Sequence, residues 1–194
     1  LGPLEPRLPG YLGTADAHID LAPDLLVADV PRLSEHLRAA ADAGVADSGA
    51  EAAPSNASQA PTRPMVLIGR RLLRTNNSWM GNIPSLAKGP DRCTLFVHPD
   101  DAARIGLSTG SSACVRSRVG ELVAPVSLTD EVMPGVVSLP HGFGHSDESS
   151  QLTVARDKPG VNVNLLVDEE QVDAVSGNGV LSGIPVEISP AHSA

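Results

Sequence analysis

Short apolar runs separated by turn residues dominate the chain after residue 64. Each run is bounded by glycine, proline, asparagine or charged residues, which is typical of buried strands. The runs are MVLIG at 65–69, CTLFV at 93–97, VVSLP at 136–140, VNVNLLV at 161–167 and IPVEI at 184–188. Because these strands are many and short, the pattern predicts a mainly β fold that closes into a barrel, rather than a parallel βαβ sheet.

Residues 112–128 predict a hairpin. The segments SACVR and ELVAPVSL flank a turn at Val119 and Gly120, and apolar residues occupy every second position of the second arm. This alternation predicts one buried face and one mixed face. Pro125 lies in that arm and favours an edge strand or a bulge, because proline has no amide hydrogen to donate.

One short helix is predicted between the second apolar run and this hairpin. Pro99 suits the first helical turn, and Asp100 and Asp101 complement the positive end of the helix dipole. Gly106 is placed to end the helix.

The first 63 residues have a different pattern. Residues 1 to 28 are rich in Pro and Leu, and a helix is predicted to begin near Asp29 and to end before Gly44. Its apolar stripe comprises Leu33, Leu37, Ala40 and Ala41. Residues 45–63 are rich in Ala, Ser, Pro, Asn and Gln and contain too few large apolar residues to pack.

This pattern divides the chain into three predicted parts. Residues 1–44 are interpreted as the tail of a preceding domain with one helix, and residues 45–63 as a linker. Residues 64–194 are predicted to form the β-barrel domain. The chain begins with Leu1, without Met or a signal-type segment, which predicts a piece of a longer cytoplasmic protein.

Composition excludes two kinds of partner. Aromatic residues make up 2% of the 194 residues and the net charge is -9, which argues against nucleic acid as a partner. No apolar run approaches the roughly 18 residues of a membrane-spanning helix.

The two cysteines, Cys93 and Cys114, show no metal-binding spacing and are predicted to be buried free thiols in a reducing compartment.

Charge is distributed unevenly along the chain. Between Ala52 and Pro90 there is no acidic residue, yet this stretch contains five basic ones. They are Arg63, Arg70, Arg71, Arg74 and Lys88. A basic stretch in an acidic protein indicates either a local anionic ligand or a solvated cationic loop, and charge alone leaves both open.

Other candidate chemistry is weak. His141 and His145 are separated by two glycines and one phenylalanine, which disfavours the helix that would bring them together on a metal. Asp168 and Asp173 belong to an acidic run that is interpreted as a solvated face. Nucleophile–base patterns, the P-loop and the dinucleotide-binding glycine fingerprint are absent from the sequence.

Four segments in order resemble a known family. They are LIGRRLLRTNNSWMGN at 67–82, HPDDAARIGLSTG at 98–110, PGVVSLPHGFGH at 134–145 and GVNVNLLVDEEQVDAVSGNG at 160–179. Over residues 64–189 the chain is similar to the C-terminal domain of molybdopterin oxidoreductases, the dimethyl sulfoxide reductase superfamily. The resemblance implies a six-stranded double-psi β-barrel that closes over a molybdopterin guanine dinucleotide carrying Mo or W.

The resemblance also implies partners and site residues. The partners are the pterin dinucleotide and the remaining domains of the parent chain, and the parent enzyme is expected to be formate dehydrogenase- or nitrate reductase-like. We expect the fragment to be inactive alone and to hold no cofactor. The implied cofactor-binding residues are Gly69, Arg70, Arg71, Arg74, Asn76, His141 and Asn164.

Residue chemistry fits this assignment. An arginine fork donates two parallel hydrogen bonds to phosphate, and asparagine satisfies heterocycle edges without adding charge. Two alternatives stay open for individual residues: the arginines form a solvated cationic face, or Asn162 and Asn164 only shape a turn. For the whole domain the alternative is a non-catalytic interaction module that has lost the cofactor.

Overall fold

Six strands close into a barrel in the computed structural model, which describes residues 2–35, 37–38 and 65–191. The chain divides into two compact units, Leu1–Ser55 and Asn56–Ala194. The strands are β1 (Met65–Arg70), β2 (Leu95–Val97), β3 (Ser112–Arg116), β4 (Glu121–Leu128), β5 (Val136–Pro140) and β6 (Ile184–Pro190). Their order around the barrel is β1-β5-β2-β4-β3-β6.

Two parallel pairs lie within an otherwise antiparallel barrel. β1 pairs in parallel with β5, and β2 pairs in parallel with β4, while the other neighbours run antiparallel. Exchanging β1, β2 and β3 with β4, β5 and β6 reproduces the same set of pairings. The barrel is therefore built from two interlocked three-stranded halves, and the predicted six-stranded double-psi β-barrel is confirmed.

The core fills the barrel interior. Each strand contributes alternate apolar residues, as the period of two requires. Leu67, Leu95, Val115, Leu139 and Ile188 are among the fully buried side chains. In β4 the predicted alternation is confirmed, because residues 122, 124 and 126 are buried while 121, 123 and 125 are exposed.

The predicted helix is present at Pro99–Ile105. Pro99 occupies its first turn and Gly106 ends it in the left-handed conformation. Asp101 does more than complement the dipole: its side chain is buried and accepts a 2.6 Å hydrogen bond from the amide of Gly135. This bond fastens the helix to the turn that precedes β5.

Two features differ from the sequence predictions. Pro125 is not on an edge strand. It lies where β4 ends its pairing with β3 and begins its pairing with β2, so the residue without an amide hydrogen is at the change of partner strand.

The segment VNVNLLV is not a strand. A 3-10 helix at Val163–Leu166 replaces it, because the Asn162 side chain accepts from the amide of Asn164 and turns the chain.

The N-terminal unit contains helical segments. Asp24–Ala28 is an α-helix that the sequence pattern did not predict, and residues 30–35 and 37–38 are also helical. The linker predicted at 45–63 lies outside the described residues, as do Ala40, Ala41 and Gly44. Among the described residues, no helix has the length and apolarity needed to cross a bilayer.

Two further short helices lie in the barrel unit, at Pro84–Ala87 and Thr153–Asp157. The Asn82 side chain accepts hydrogen bonds of 2.9 and 3.1 Å from the amides of Val154 and Ala155. The end of the segment that follows β1 is thereby attached to the start of the second of these helices.

Candidate functional site

Two loops leave the barrel side by side where β1 and β5 end. Because these strands are parallel neighbours, their carboxyl ends lie at the same edge of the barrel. The pairing extends one residue beyond β5, since the amide of His141 donates a 3.0 Å hydrogen bond to the carbonyl oxygen of Arg70. The loops at 71–82 and 141–145, which lie within two of the four segments that carry the family resemblance, therefore start from one place.

The two loops are in direct contact. Gly142 has a positive φ of 97°, and a Cβ built on it would lie 1.7 Å from the carbonyl oxygen of Asn77. A third segment joins them, because the amide of Gly144 donates a 2.6 Å hydrogen bond to the carbonyl oxygen of Pro159. Three segments that are distant in sequence thus converge at this edge.

Arg70 is the last residue of β1, one position beyond the strand end that the sequence predicts. Its Nη1 donates a 2.7 Å hydrogen bond to the carbonyl oxygen of Ser138, and its Nη2 donates a 2.7 Å bond to that of Thr94. The guanidinium carbon lies 3.5 Å from the centre of the Phe96 ring. This half-buried guanidinium is bonded to main-chain carbonyls, so the geometry does not favour its predicted contact with phosphate.

Burial changes the acidity of this group. Desolvation lowers the pKa of Arg70 to about 10, and the opposing influence of Cys93 and Glu131 is smaller. Arg70 is consequently still a cation at neutral pH.

Arg71, Arg74 and Asn76 lie on the loop after β1, and all three are exposed. Arg71 donates through Nη1 to Oδ1 of Asn77. Arg71 and Asn76 line one surface cleft, Arg74 lines the adjacent cavity, and Met80 lines both. One loop therefore carries two exposed guanidiniums and an amide into two neighbouring clefts, of which the one lined by Arg74 is also lined by Gly142.

The adjacent cavity has a volume of about 140 Å³ and a largely apolar wall that includes Leu86, Phe143 and Val154. Arg74 and Lys158 bring positive charge to its lining. Sites that enclose a drug-sized ligand measure roughly 300–1,000 Å³. This cavity is smaller than such sites.

The other predicted residues surround this edge. Gly69 is exposed, and its amide donates a 3.2 Å hydrogen bond to Oγ of Ser182. His141 is half-buried, and its main chain pairs with Arg70 as described above. His145 packs within its loop, with Nε2 lying 3.2 Å from the carbonyl oxygen of Gly142.

Asn162 and Asn164 have different roles. The Asn162 side chain forms the turn described above, which is one of the two interpretations that the sequence left open. The Asn164 side chain is exposed on the first turn of the same 3-10 helix. Asn164 is therefore the more exposed of the two.

Sequence reasoning missed an ion pair that holds this segment. Asp168 is 4% exposed, so its assignment to a solvated face is wrong. Arg118, on the β3–β4 turn, donates to both of its oxygens, through Nε to Oδ2 and through Nη2 to Oδ1, the latter over 2.6 Å. These bonds lower the pKa of the Asp168 carboxyl. Because 50 residues separate the partners, no local pattern signals the pair.

The β3–β4 turn also approaches the Asn164 segment directly. A Cβ on Gly120 would lie 2.2 Å from the carbonyl oxygen of Leu165, so only glycine fits there. Together with the ion pair, this approach fixes the position of the 3-10 helix.

Residues 2–35, 37–38 and 65–191 contain no group of three or more His, Cys, Asp or Glu side chains arranged to hold a metal ion. Both cysteines are free. Cys93 is buried as predicted, whereas Cys114 is only half-buried.

The chain thus combines a double-psi β-barrel with exposed guanidinium and amide groups on one loop at the barrel edge. The family model described as "Molydopterin dinucleotide binding domain" matches residues 65–184. The chain belongs to this family, and the predicted membership of the molybdopterin oxidoreductase superfamily is confirmed.

Curated relatives agree with this assignment. A tetrathionate reductase chain of Salmonella typhimurium is 29% identical over 142 residues, covering 64% of this chain and 14% of that protein. Dimethyl sulfoxide reductase DmsA of Escherichia coli is 27% identical over 115 residues, covering 59% and 13%. An NADH-quinone oxidoreductase chain of Mycobacterium bovis is 32% identical over 130 residues, covering 64% and 16%. The chain spans about a seventh of the length of these relatives.

A solved structure shares the fold. Acetylene hydratase from Pelobacter acetylenicus superposes with a TM-score of 0.56 at 20% identity, covering 66% of this chain and 18% of that one. None of the relatives named here is a formate dehydrogenase or a nitrate reductase, so that part of the sequence prediction gains no support.

Proposed function

We propose that this domain closes over a molybdopterin guanine dinucleotide in a larger molybdenum- or tungsten-dependent oxidoreductase. The family match supports a molybdopterin dinucleotide as the ligand class. The observation that carries the proposal further is that Arg71, Arg74 and Asn76 are all exposed on one loop, whose main chain at Asn77 packs against Gly142. The chemistry of these donors fits the ligand, because guanidinium forks pair with phosphate and amides pair with heterocycle edges.

Each residue has a distinct role in this proposal. Arg71 and Arg74 bind the diphosphate, and Asn76 and Asn164 hydrogen-bond the heterocycle edges. The proposal also assigns His141, at the start of the loop after β5, to the cofactor side of this edge, and Gly69, exposed near the end of β1, to a close approach of the ligand to main chain. Bound cofactor supplies the metal centre for the redox reaction, while the residues of this chain bind it, orient it and exclude water.

The remaining domains of the parent chain complete the site. The match to this chain covers only 14%, 16% and 13% of the three curated relatives named above, so most of such an enzyme lies in other domains. The isolated chain is accordingly proposed to hold no cofactor and to be inactive.

The relatives favour a reductase. Two of those named above are reductases of oxidised sulfur compounds, tetrathionate and dimethyl sulfoxide. We propose that the parent enzyme reduces a substrate of this class. Purified parent enzyme supplied with a chemical electron donor should reduce tetrathionate or dimethyl sulfoxide, whereas turnover of formate or nitrate alone would contradict this proposal.

Metal content tests the cofactor assignment. Arg71→Gln/Arg74→Gln in the parent enzyme should lower molybdenum or tungsten per chain several-fold, because the diphosphate loses both guanidiniums. Arg116→Gln is the matched control, since it removes an exposed guanidinium that is paired with Glu121 on the β3–β4 hairpin. Unchanged metal content in the double variant, measured by elemental mass spectrometry, would refute the assignment.

One observation favours the alternative, an interaction module without cofactor. Leu73 and Trp79 on the loop after β1 are 92% and 84% exposed, and large exposed apolar side chains are often buried against a partner. For such a module, Leu73→Ser/Trp79→Ser would weaken association with the rest of the parent protein. The arginine double variant would leave both metal content and association unchanged.

A further inference from the structure

Arg70 connects three strands at the edge from which the site loops emerge. It ends β1, and Ser138 belongs to β5, the next strand around the barrel. Thr94 immediately precedes β2, which lies on the far side of β5. The two hydrogen bonds of 2.7 Å therefore reach from β1 across β5 to the start of β2.

The strands meet at Ser138. This residue is in register with Ile68 of β1 and with Phe96 of β2, and it is almost completely buried. The Phe96 ring lies against the Arg70 guanidinium. The arginine, the ring and the serine thus form one packed unit across three strands, and a cation against an aromatic face is stabilising in itself.

This unit lies at the base of both site loops. Arg71 is the next residue along the chain, and the carbonyl oxygen of Arg70 accepts the amide of His141. Beyond that bond, Gly142 packs against the main chain of Asn77. A displacement of Arg70 would therefore move the start of the 71–77 loop and the start of the 141–145 loop together.

The side chain is not part of a conventional ion pair. None of the ion pairs among the described residues includes Arg70, and its two shortest hydrogen bonds go to carbonyl oxygens. Main-chain carbonyls fix the geometry of a guanidinium without neutralising its charge. Arg70 therefore holds the strand ends in register and leaves a positive charge near the place where an anion would bind.

We propose that Arg70 is a positioning residue for cofactor binding, which sets the geometry of Arg71, Arg74 and His141 without contacting the cofactor itself. This inference rests on the proposed function. It assigns to Arg70 a different role from the direct cofactor contact that the family resemblance implies.

The test uses the parent holoenzyme and three substitutions. Arg70→Gln removes the charge and the forked donor. Arg70→Lys keeps the charge and one of the two carbonyl bonds, and Phe96→Leu removes only the ring. Val115→Ala is the control for stability, since Val115 is a fully buried residue of β3, which does not pair with β1 or β5. For each protein, metal per chain and the rate of cofactor release are measured together with Tm.

For the same decrease in Tm, we expect Arg70→Gln to lose several-fold more cofactor than Val115→Ala. Arg70→Lys should retain more cofactor than Arg70→Gln but less than the wild type. Phe96→Leu should release cofactor faster than Val115→Ala. Cofactor loss that simply follows Tm across all four variants would overturn the proposal, as would wild-type retention by Arg70→Gln. If Arg70→Gln does not fold, Arg70→Lys and Phe96→Leu decide: wild-type retention in both overturns the proposal.

Failure of this inference is distinguishable from failure of the proposed function. If Arg71→Gln/Arg74→Gln lowers metal content while Arg70→Gln at matched Tm does not, only the positioning role fails. If neither change alters metal content, the cofactor assignment itself fails.

Discussion

Gly142 lies so close to Asn77 that the space for a side chain is occupied by the main chain of the neighbouring loop. A Cβ on Gly142 would come within 1.7 Å of the carbonyl oxygen and 2.3 Å of the carbonyl carbon of Asn77. Main chain cannot move aside as a flexible side chain does. The contact therefore couples the loop after β5 to the loop that carries Arg71 and Arg74.

Gly142→Ala should destabilise the domain and displace the loop after β1. The left-handed backbone alone costs a non-glycine residue about 1–2 kcal/mol, and the collision adds to that cost. Gly110→Ala is the matched control, since Gly110 also has a positive φ, of 85°, but a Cβ built on it would have no atom within 4 Å. Urea unfolding of both variants checks the prediction; equal losses of stability would show that the close approach contributes nothing.

Asp168→Asn should lower Tm at neutral pH, because the buried carboxylate loses its charge-assisted bonds to Arg118. The pKa of Asp168 is lowered from its ordinary value of 3.8, so its stabilisation is present above that pH and is lost as the pH falls through the lower folded value. The difference in Tm between wild type and variant should therefore be constant from neutral pH down to about pH 4 and narrow below it.

Glu121→Gln provides the control for that experiment. Glu121 pairs with Arg116 between two exposed side chains, and exposed pairs contribute little to stability. At every pH, the Tm of this variant should be close to the Tm of the wild type. A Tm difference for Asp168→Asn that is independent of pH down to strong acid would contradict the ion-pair explanation.

The two thiols should differ in reactivity. Burial raises the pKa of the Cys93 thiol, although a nearby Arg70 partly opposes the shift. Cys93 is only 5% exposed and packs against Gly160, whereas Cys114 is half-buried on β3. Because the thiolate is the reactive form, alkylation of the native protein should modify Cys114 well before Cys93. Mass spectrometry of a labelling time course distinguishes them, and faster labelling of Cys93 would contradict its enclosed position.

Asn82→Ala should destabilise the domain by about 1 kcal/mol, by analogy with the loss of a helix N-cap. Its side chain satisfies the amides of Val154 and Ala155 at the start of a short helix, although 72 residues separate Asn82 from Val154. Asn178→Ala, at an exposed asparagine, is the control in chemical denaturation. Equal stability of the two variants would show that solvent replaces the cap without cost.

Much of the fold was predictable because strands and helices have local signatures. MVLIG, VVSLP and IPVEI correspond to β1, β5 and β6. The helix begins at Pro99 and Gly106 ends it, as expected. VNVNLLV was mispredicted because the Asn162 side chain bonds locally to main chain and outweighs the strand propensity of its valines. Pro125 was misplaced because a strand that changes partners has no distinctive sequence pattern.

The candidate site was predictable in part. The basic stretch and the family resemblance located the loops, and Arg71, Arg74 and Asn76 are exposed there. They could not show that the guanidinium of Arg70 bonds to Ser138 and Thr94, or that Arg118 binds Asp168. Each of those contacts joins residues more than 20 positions apart, and several partners of equal chemistry were available along the chain.

By itself, then, the sequence determined the apolar alternation, the turn positions, the family and the loops that carry its cationic and amide side chains. These properties depend on side-chain chemistry and on spacing over a few residues, which a linear chain displays directly. Only the tertiary structure decided which arginines stay in solvent and which are enclosed. That choice depends on which carbonyls and carboxylates the closed barrel brings within hydrogen-bonding distance, and the closure pairs strands that lie far apart in the chain.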